Sequence, residues 1–187
     1  MRTSLTHPLQ IARVRPPGCA GEIGMTFCPG KVDPYPMSGE AWDRQLDVDL
    51  DLIHDHKATT LVTLLENHEF RRLKVQGLGE ATKLRGMAWL RLPIIDGGVP
   101  DKKFENLWFT AGKELHAALS GGALIVLHCR GGLGRTGTIA ARLLMEKGVP
   151  VEEAIEMVRA ARPGAIENDA QEDYLRQLPI QSFQAPV

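Results

Sequence analysis

The residues best suited to do chemistry lie together in residues 128–137, which read HCRGGLGRTG. Cys129 is followed, after five intervening residues, by Arg135. A cysteine becomes a strong nucleophile once it is deprotonated. An arginine presents a planar fork that can hold two oxygens of a tetrahedral anion. This spacing predicts that Cys129 attacks an anionic group and that Arg135 clamps that group.

Three of the five intervening residues are glycines, which let the backbone turn tightly so that successive N–H groups converge on an anion. A helix predicted to begin near Thr136 adds the positive end of its dipole at the same place. The same features favour the thiolate form of the cysteine. The predicted anion-binding residues are Arg130, Gly131, Gly132, Leu133, Gly134 and Arg135.

Three other interpretations of this loop are disfavoured. Residues 132–137 fit the pattern GxGxxG of dinucleotide sites, but such a site needs an acidic residue about 20 positions on, at the end of a strand. Residues 151–161 predict a helix there instead. An ATP-binding loop requires a Gly-Lys-Ser/Thr sequence, and none follows these glycines. A merely structural buried thiol would leave the glycines and Arg135 unexplained.

The elements that must position this loop alternate along the chain. Apolar and β-branched runs predict strands near residues 22–27, 59–65, 87–92 and 123–127. Helical spacing predicts helices near residues 79–85, from 101 to 120, and over 136–147, 150–162 and 168–178. Residues 40–56 fit both the two-residue alternation of a strand and the spacing of a helix, and the length of the segment favours a helix.

Strands that alternate with helices predict an α/β fold with a mainly parallel central sheet flanked by helices. Ligands of such sheets bind where loops leave the carboxyl ends of the strands. The length of 187 residues suits a single domain over residues 1–187, with residues 1–20 as a candidate for a loosely ordered N-terminal extension.

Composition narrows the classes of partner. A formal net charge of −1 provides no basic field for nucleic acid or an anionic membrane surface. No apolar run approaches the roughly 20 residues that span a bilayer, and no apolar signal-peptide core precedes the domain. Three cysteines without a CxxC pair favour neither a disulfide framework nor a zinc site. We therefore expect a cytoplasmic protein that needs no metal or cofactor, and a redox role for Cys19 or Cys28 is disfavoured.

The pattern His-Cys-x5-Arg-Thr-Gly resembles the signature loop of the protein tyrosine and dual-specificity phosphatase superfamily. Residues 92–101, LPIIDGGVPD, resemble the general-acid loop of the cyclin-dependent-kinase-associated phosphatase branch. Residues 165–175, AIENDAQEDYL, resemble the final helix of that branch. The resemblance covers about residues 90–178 well and the N-terminal part only loosely.

The resemblance implies a reaction in two steps. Cys129 attacks phosphorus to form a cysteinyl-phosphate, which water then hydrolyses. Asp96, at the position of the family's acid, would protonate the departing oxygen and later activate the water. Asp101 is the rival for this role, but it stands where a helix N-cap is expected.

Three residues in or beside the signature loop receive supporting roles, each with an alternative. Thr136 would donate its hydroxyl to the departing thiolate, or serve as an N-cap bonded only to backbone. His128 would orient the loop behind Cys129 or tune the thiolate. Arg130 would attract anionic substrates, or lie solvated on the surface.

Gln171 aligns with a family glutamine that positions the attacking water. Asn168-x-x-Gln171 is also a capping-box pattern, which is the alternative. Glu167 stands where this branch has a glutamine, so the positioning of water is the least secure part of the comparison.

The resemblance predicts a phosphatase of dual specificity acting on phosphorylated proteins or peptides. Residues 66–73 lack the Asn-Arg-Tyr loop that deepens the pocket of strict tyrosine phosphatases, and a shallower pocket admits phosphoserine and phosphothreonine. A phosphoinositide or inositol-phosphate phosphatase is a second possibility, although the loop carries Arg130 and no lysine. A non-catalytic phosphate-binding module, a sulfur transferase and an arsenate reductase are the remaining alternatives.

Overall fold

The computed structural model describes residues 1–36 and 39–179. A five-stranded sheet forms its centre, in the order β1-β2-β7-β5-β6. Strands β2, β7, β5 and β6 are parallel, and β1 is antiparallel to β2. The predicted α/β fold with a mainly parallel sheet is thereby confirmed. Its strands are β1 (Ala12–Val14), β2 (Glu22–Phe27), β5 (Ala58–Thr63), β6 (Ala88–Arg91) and β7 (Leu124–Cys129).

Helices cover both faces of the sheet. They are α1 (Leu46–Asp55), α2 (Asn67–Arg72), α3 (Leu78–Leu84), α4 (Lys102–Ser120), α5 (Gly134–Met145), α6 (Val151–Ala161) and α7 (Asp169–Gln177). Within the described residues, none of these helices combines the length and apolarity needed to cross a membrane.

The central strand β7 is buried along its whole length. Ile125, Leu127 and Cys129 join the core on one face, while Leu124 and Val126 join the core on the other. A parallel strand covered on both faces needs apolar residues at every position. This burial explains the continuous apolar run, and it places Cys129 at the carboxyl end of the sheet's middle strand.

A small hairpin of β3 (Val32–Asp33) and β4 (Trp42–Asp43) stands beside the carboxyl end of the sheet. The predicted helix over residues 40–56 is therefore partly wrong, because residues 42–43 form a strand and α1 begins at Leu46. Asp49 of α1 accepts from Arg44 at 2.7 Å in a fully buried ion pair. Arg44 also donates to the carbonyls of Thr3 and His7, which fastens the N-terminal residues to this hairpin.

Candidate active site

The loop after β7 curls around the Cys129 sulfur. Gly132 lies in the left-handed region at φ +71°, and a Cβ at this position would overlap the carbonyl of Thr26. Its N–H donates to Cys129 Sγ at 3.2 Å. Helix α5 begins two residues later, at Gly134. The loop therefore turns a backbone donor and a helix N-terminus toward the sulfur, an arrangement that favours an anion.

Cys129 lies at the base of a cleft of about 430 Å³ and is only 3 % exposed. The predicted residues Asp96, Arg130, Gly131, Leu133 and Gly134 line the same cleft. The fold therefore brings most of the predicted site residues together. The cleft is completed by residues that had no predicted role: Arg2, Lys31, Asp33, Pro36, Trp42 and Glu167.

Arg135 is 1 % exposed and is held by a carboxylate that sequence reasoning missed. Its Nη1 and Nη2 donate to the two oxygens of Glu69 at 2.6 and 2.9 Å, and Nη1 also donates to the Ile94 carbonyl. Burial acts to lower the pKa of Arg135, but the hydrogen bonds to Glu69 outweigh it and leave that pKa above its usual value. The guanidinium is therefore fixed and permanently charged.

Glu69 belongs to α2, in the segment considered above only for its lack of a pocket-deepening loop. Glu66 and Glu69 form a reciprocal capping box at the start of this helix. The sequence carries no N-cap signal here, because Glu66 is not one of the Ser, Thr, Asp or Asn residues that favour that position. Nor could the sequence have predicted the contact with Arg135, which lies 66 residues further along the chain.

Asp96 reaches Arg135 from the solvent side. Its Oδ1 accepts from Arg135 Nη2 at 2.7 Å, and its side chain is 43 % exposed. Asp101, by contrast, accepts from the Phe104 N–H at 2.8 Å and caps α4, as predicted. Asp101 is absent from the residues that line the Cys129 cleft. Asp101 therefore has the structural role of an N-cap, and Asp96 lies in the cleft beside Arg135.

Arg130 is only 11 % exposed at its side chain, so the alternative of a solvated surface arginine is wrong. Its Nε donates to Asp33 Oδ2 at 3.0 Å, and its Nη2 donates to the Tyr35 carbonyl. Asp33 offsets the charge of Arg130, while the guanidinium still lines the cleft.

His128 is fully buried behind Cys129. Its Nε2 lies 2.7 Å from Thr63 Oγ1, which accepts from the indole N–H of Trp89. Nδ1 lies 3.4 Å from the Cys129 carbonyl, which can only accept, so in the neutral ring Nδ1 carries the hydrogen and the Thr63 hydroxyl donates to Nε2. Burial lowers the pKa of His128 to about 4, so the imidazole is neutral at neutral pH.

Thr136 lies in the first turn of α5, whose N-cap is Leu133, so a backbone-capping role for Thr136 is wrong. Its Oγ1 is buried and has no hydrogen-bond partner within the described part of the chain. A buried hydroxyl without a partner is unfavourable. This hydroxyl is therefore available to a group that arrives in, or departs from, the site.

Gln171 is fully buried and connects three segments. Its Oε1 accepts from the Glu167 N–H at 2.9 Å, and its Nε2 donates to the Gly98 carbonyl at 3.3 Å. Asn168 caps α7 by accepting from the Gln171 N–H, and it also donates to the Gly97 carbonyl. The start of α7 therefore holds the loop that carries Asp96.

Two cations outside the signature loop bind its carbonyls, and neither was predicted from the sequence. Arg162 donates from Nη2 to Gly131 O at 3.2 Å and from Nε to Gly132 O. Lys31 donates from Nζ to Arg130 O at 3.2 Å. Three successive loop carbonyls are thus held by side chains from outside the loop, while the Gly132 N–H donates to the sulfur.

Cys19, Cys28 and Cys129 are all free thiols. Cys28 is fully buried, and burial raises the pKa of its thiol well above the usual range. Among the described residues, no group of three or more His, Cys, Asp or Glu side chains is arranged to hold a metal ion.

Residues 31–175 match the family model for PTP-SAK, described as Swiss Army Knife protein, DSP-PTPase phosphatase domain. The chain therefore belongs to this family of phosphatase domains. The predicted membership of the protein tyrosine and dual-specificity phosphatase superfamily is confirmed by this match.

Among curated proteins, human protein tyrosine phosphatase type IVA 3 is 34% identical over 90 residues, which cover 48% of this chain and 51% of that protein. Rat cyclin-dependent kinase inhibitor 3 is 32% identical over 112 residues, which cover 58% and 51% respectively. The chain thus spans about half the length of these two relatives.

Two solved structures share the fold. Kinase associated phosphatase (KAP), crystallised with its catalytic-site cysteine substituted by serine, superimposes with a TM-score of 0.79 at 24% identity and covers 90% of this chain and 93% of its own. Tk-PTP in its active form superimposes with a TM-score of 0.64 at 24% identity. The superposition covers 86% of this chain and 95% of Tk-PTP.

Proposed function

We propose that this domain hydrolyses phosphomonoesters of proteins through a cysteinyl-phosphate intermediate formed on Cys129. The observation that carries the proposal is the donation of the Gly132 N–H to Cys129 Sγ, at the base of a cleft whose Asp96 contacts the fixed guanidinium of Arg135. One concavity thereby stabilises a thiolate and can receive a phosphoryl dianion.

The first step breaks the phosphorus–oxygen bond. The phosphoryl oxygens take hydrogen bonds from the loop N–H groups and from Arg135, while Asp96 gives up its contact with Arg135 Nη2. The Cys129 thiolate attacks phosphorus and forms the sulfur–phosphorus bond. The protonated Asp96 carboxyl gives its proton to the leaving oxygen.

The second step releases inorganic phosphate. The Asp96 carboxylate takes a proton from water, whose oxygen attacks phosphorus, and the sulfur–phosphorus bond breaks. Thr136, with its unpaired buried hydroxyl, donates a hydrogen bond to the departing thiolate. Gln171 contributes by holding the Asp96 loop through Gly98.

The proposed substrates are phosphorylated proteins or peptides, with both phosphotyrosine and phosphoserine or phosphothreonine accepted. Short helix α2 stands where a pocket-deepening loop would be expected, which supports dual specificity. A cytoplasmic location also remains a proposal, supported by the three free thiols.

A phosphoinositide or soluble inositol phosphate is a second candidate substrate. Lys31 and Arg2 line the cleft in addition to Arg130, so positive charge beyond the signature loop lies beside the predicted anion site. Values of kcat/KM for phosphopeptides and for soluble inositol phosphates, measured on the same preparation, decide between the two classes.

The primary test is hydrolysis of a generic aryl phosphate in the presence of a metal chelator. Cys129→Ser should abolish turnover but retain phosphate binding, because the loop N–H groups and Arg135 remain. Arg135→Lys should also be severely impaired, since a point charge cannot replace a bidentate fork. Cys19→Ser and the exposed Arg72→Lys are the matched controls and should behave as wild type. Turnover by Cys129→Ser at a rate near that of wild type would refute the proposal.

A further inference from the structure

Lys31 is a buried ammonium with an unusual set of partners. It is 4 % exposed, and its Nζ lies 4.5 Å from the ring centroid of Trp42 and 4.9 Å from that of Phe27. Across residues 1–36 and 39–179, no carboxylate lies within ion-pair distance of this nitrogen. A buried charge without a counter-ion is costly. A functional role for the ammonium would explain why this costly arrangement is present.

The hydrogen bond from Lys31 goes to the carbonyl of Arg130, the residue that follows the nucleophile. The same oxygen accepts the Cys28 N–H at 3.3 Å. In a planar trans peptide the C=O and N–H groups point in opposite directions, and the described residues contain no cis peptide. Holding this oxygen on the outside of the loop therefore turns the Gly131 N–H toward the inside.

Lys31 acts on the loop from a different side than Arg162. Lys31 belongs to the connection between β2 and β3, whereas Arg162 follows α6 and binds the next two carbonyls. Lys31 also lines the cleft itself, beside Cys129 and Arg130. It is thus placed both to orient a loop peptide and to add positive charge where an anion binds.

We propose that Lys31 is a positioning residue of the anion site, which directs the Gly131 N–H at the phosphoryl group and stabilises the bound dianion with its charge. The inference rests on the proposed function only in taking the loop as an anion site. It is therefore tested by binding rather than by turnover.

Sulfate binding to the Cys129→Ser protein, measured by calorimetry, is the test. Adding Lys31→Met should weaken sulfate binding by about 10–100-fold, the value of one charge-assisted hydrogen bond, while methionine retains the packing against Phe27 and Trp42. Lys113→Met in the same background is the control. Lys113 is exposed and stacks on Phe109 at 4.0 Å, and it is absent from the residues that line the cleft.

A second measurement needs no further substitution. Burial lowers the pKa of Lys31 to about 8. The charged and titratable groups around it are Cys28, Asp33, Cys129 and Arg130, together with Arg2 and Arg44, which lie over the same Trp42 and Phe27 rings and stay charged throughout this pH range. Sulfate remains a dianion throughout this range and Cys129 is replaced, so the affinity of Cys129→Ser for sulfate should fall as pH rises through about 8.

Equal sulfate affinity with and without Lys31→Met, or a flat affinity between about pH 7 and about pH 9, would overturn the role of Lys31 alone. Absence of sulfate binding to a folded Cys129→Ser protein would overturn the anion site, and with it the proposed function.

Discussion

Asp96 Oδ1 and Arg135 Nη2 lie 2.7 Å apart, so the predicted general acid and the predicted phosphate clamp are in direct contact. Glu69 holds the other side of the same guanidinium. Nη1 and Nη2 both donate to Glu69, so a phosphoryl group that Arg135 clamps through two nitrogens takes Nε together with the Nη2 donor that Asp96 now occupies. This exchange would leave the Asp96 carboxyl beside the ester oxygen, where a proton is needed.

Asp96→Asn should lose activity in proportion to the basicity of the leaving group. A tyrosine phenol has a pKa of about 10 and needs a proton on departure, so phosphopeptide hydrolysis should fall roughly 10²–10⁴-fold. An aryl phosphate with strong electron-withdrawing groups releases a stable phenolate anion. Its hydrolysis by Asp96→Asn should therefore fall much less. Values of kcat/KM across a series of leaving groups check this, and the basic limb of the pH profile should flatten.

Asp101→Asn is the matched control for that substitution. Asparagine is itself a good N-cap, so the rate and the bell-shaped pH profile should be unchanged, with only a small change in stability. If Asp101→Asn showed the leaving-group-dependent loss while Asp96→Asn did not, the assignment of the acid would be reversed.

Glu69→Gln should damage both stability and activity, because it removes the buried counter-ion of Arg135 and leaves only the partly exposed Asp96. Removal of one partner from a buried ion pair costs about 3–5 kcal/mol, and urea unfolding would measure this loss. The clamp should also lose its fixed orientation, lowering kcat/KM on every phosphate ester. Glu80→Gln, on the exposed face of α3, should change neither quantity. A Glu69→Gln protein with wild-type stability would show that the pair is dispensable.

Gln171→Ala should affect mainly the step that needs Asp96. Both ends of the Gln171 amide bind backbone, and one end binds the acid loop at Gly98. We therefore expect a leaving-group-dependent loss smaller than that of Asp96→Asn, without accumulation of phosphoenzyme. Rapid-quench kinetics check the second point. A burst of product would instead show that Gln171 positions the attacking water.

His128 should make the protein less stable in mild acid. Its pKa falls from about 6.5 in the unfolded chain to about 4 in the buried site. Between these values the unfolded state binds more protons, so the free energy of unfolding decreases as pH falls from about 6.5 to about 4. The decrease from this residue should be about 3 kcal/mol at most.

Denaturant unfolding at several pH values would measure that dependence. His128→Gln should flatten the slope within this window, although it will also change the stability at neutral pH. His54→Gln, at an exposed position, should retain the wild-type slope. An unchanged slope in His128→Gln would assign the acid sensitivity to other groups.

The chemistry encoded within a short stretch of chain could be read from the sequence. Cys129, the glycines and Arg135 lie within seven consecutive residues from the end of β7 to the start of α5, so their spacing alone predicts a concave loop and a clamp. The cap at Asp101 is equally local, because an N-cap bonds a backbone N–H three residues ahead.

The partners that hold this loop could be identified only from the tertiary structure. Glu69 is 66 residues from Arg135, Asp33 is 97 from Arg130, and the Lys31 ammonium bonds a carbonyl 99 residues away. These contacts depend on the strand order β2-β7-β5, which brings three distant chain segments to one edge of the sheet. Hydrophobic periodicity indicates which face of an element is buried, but it does not specify which element lies beside it. The sequence by itself thus predicted the nucleophile and the clamp and determined the family of phosphatase domains, whereas strand order decided which charges lie beside them.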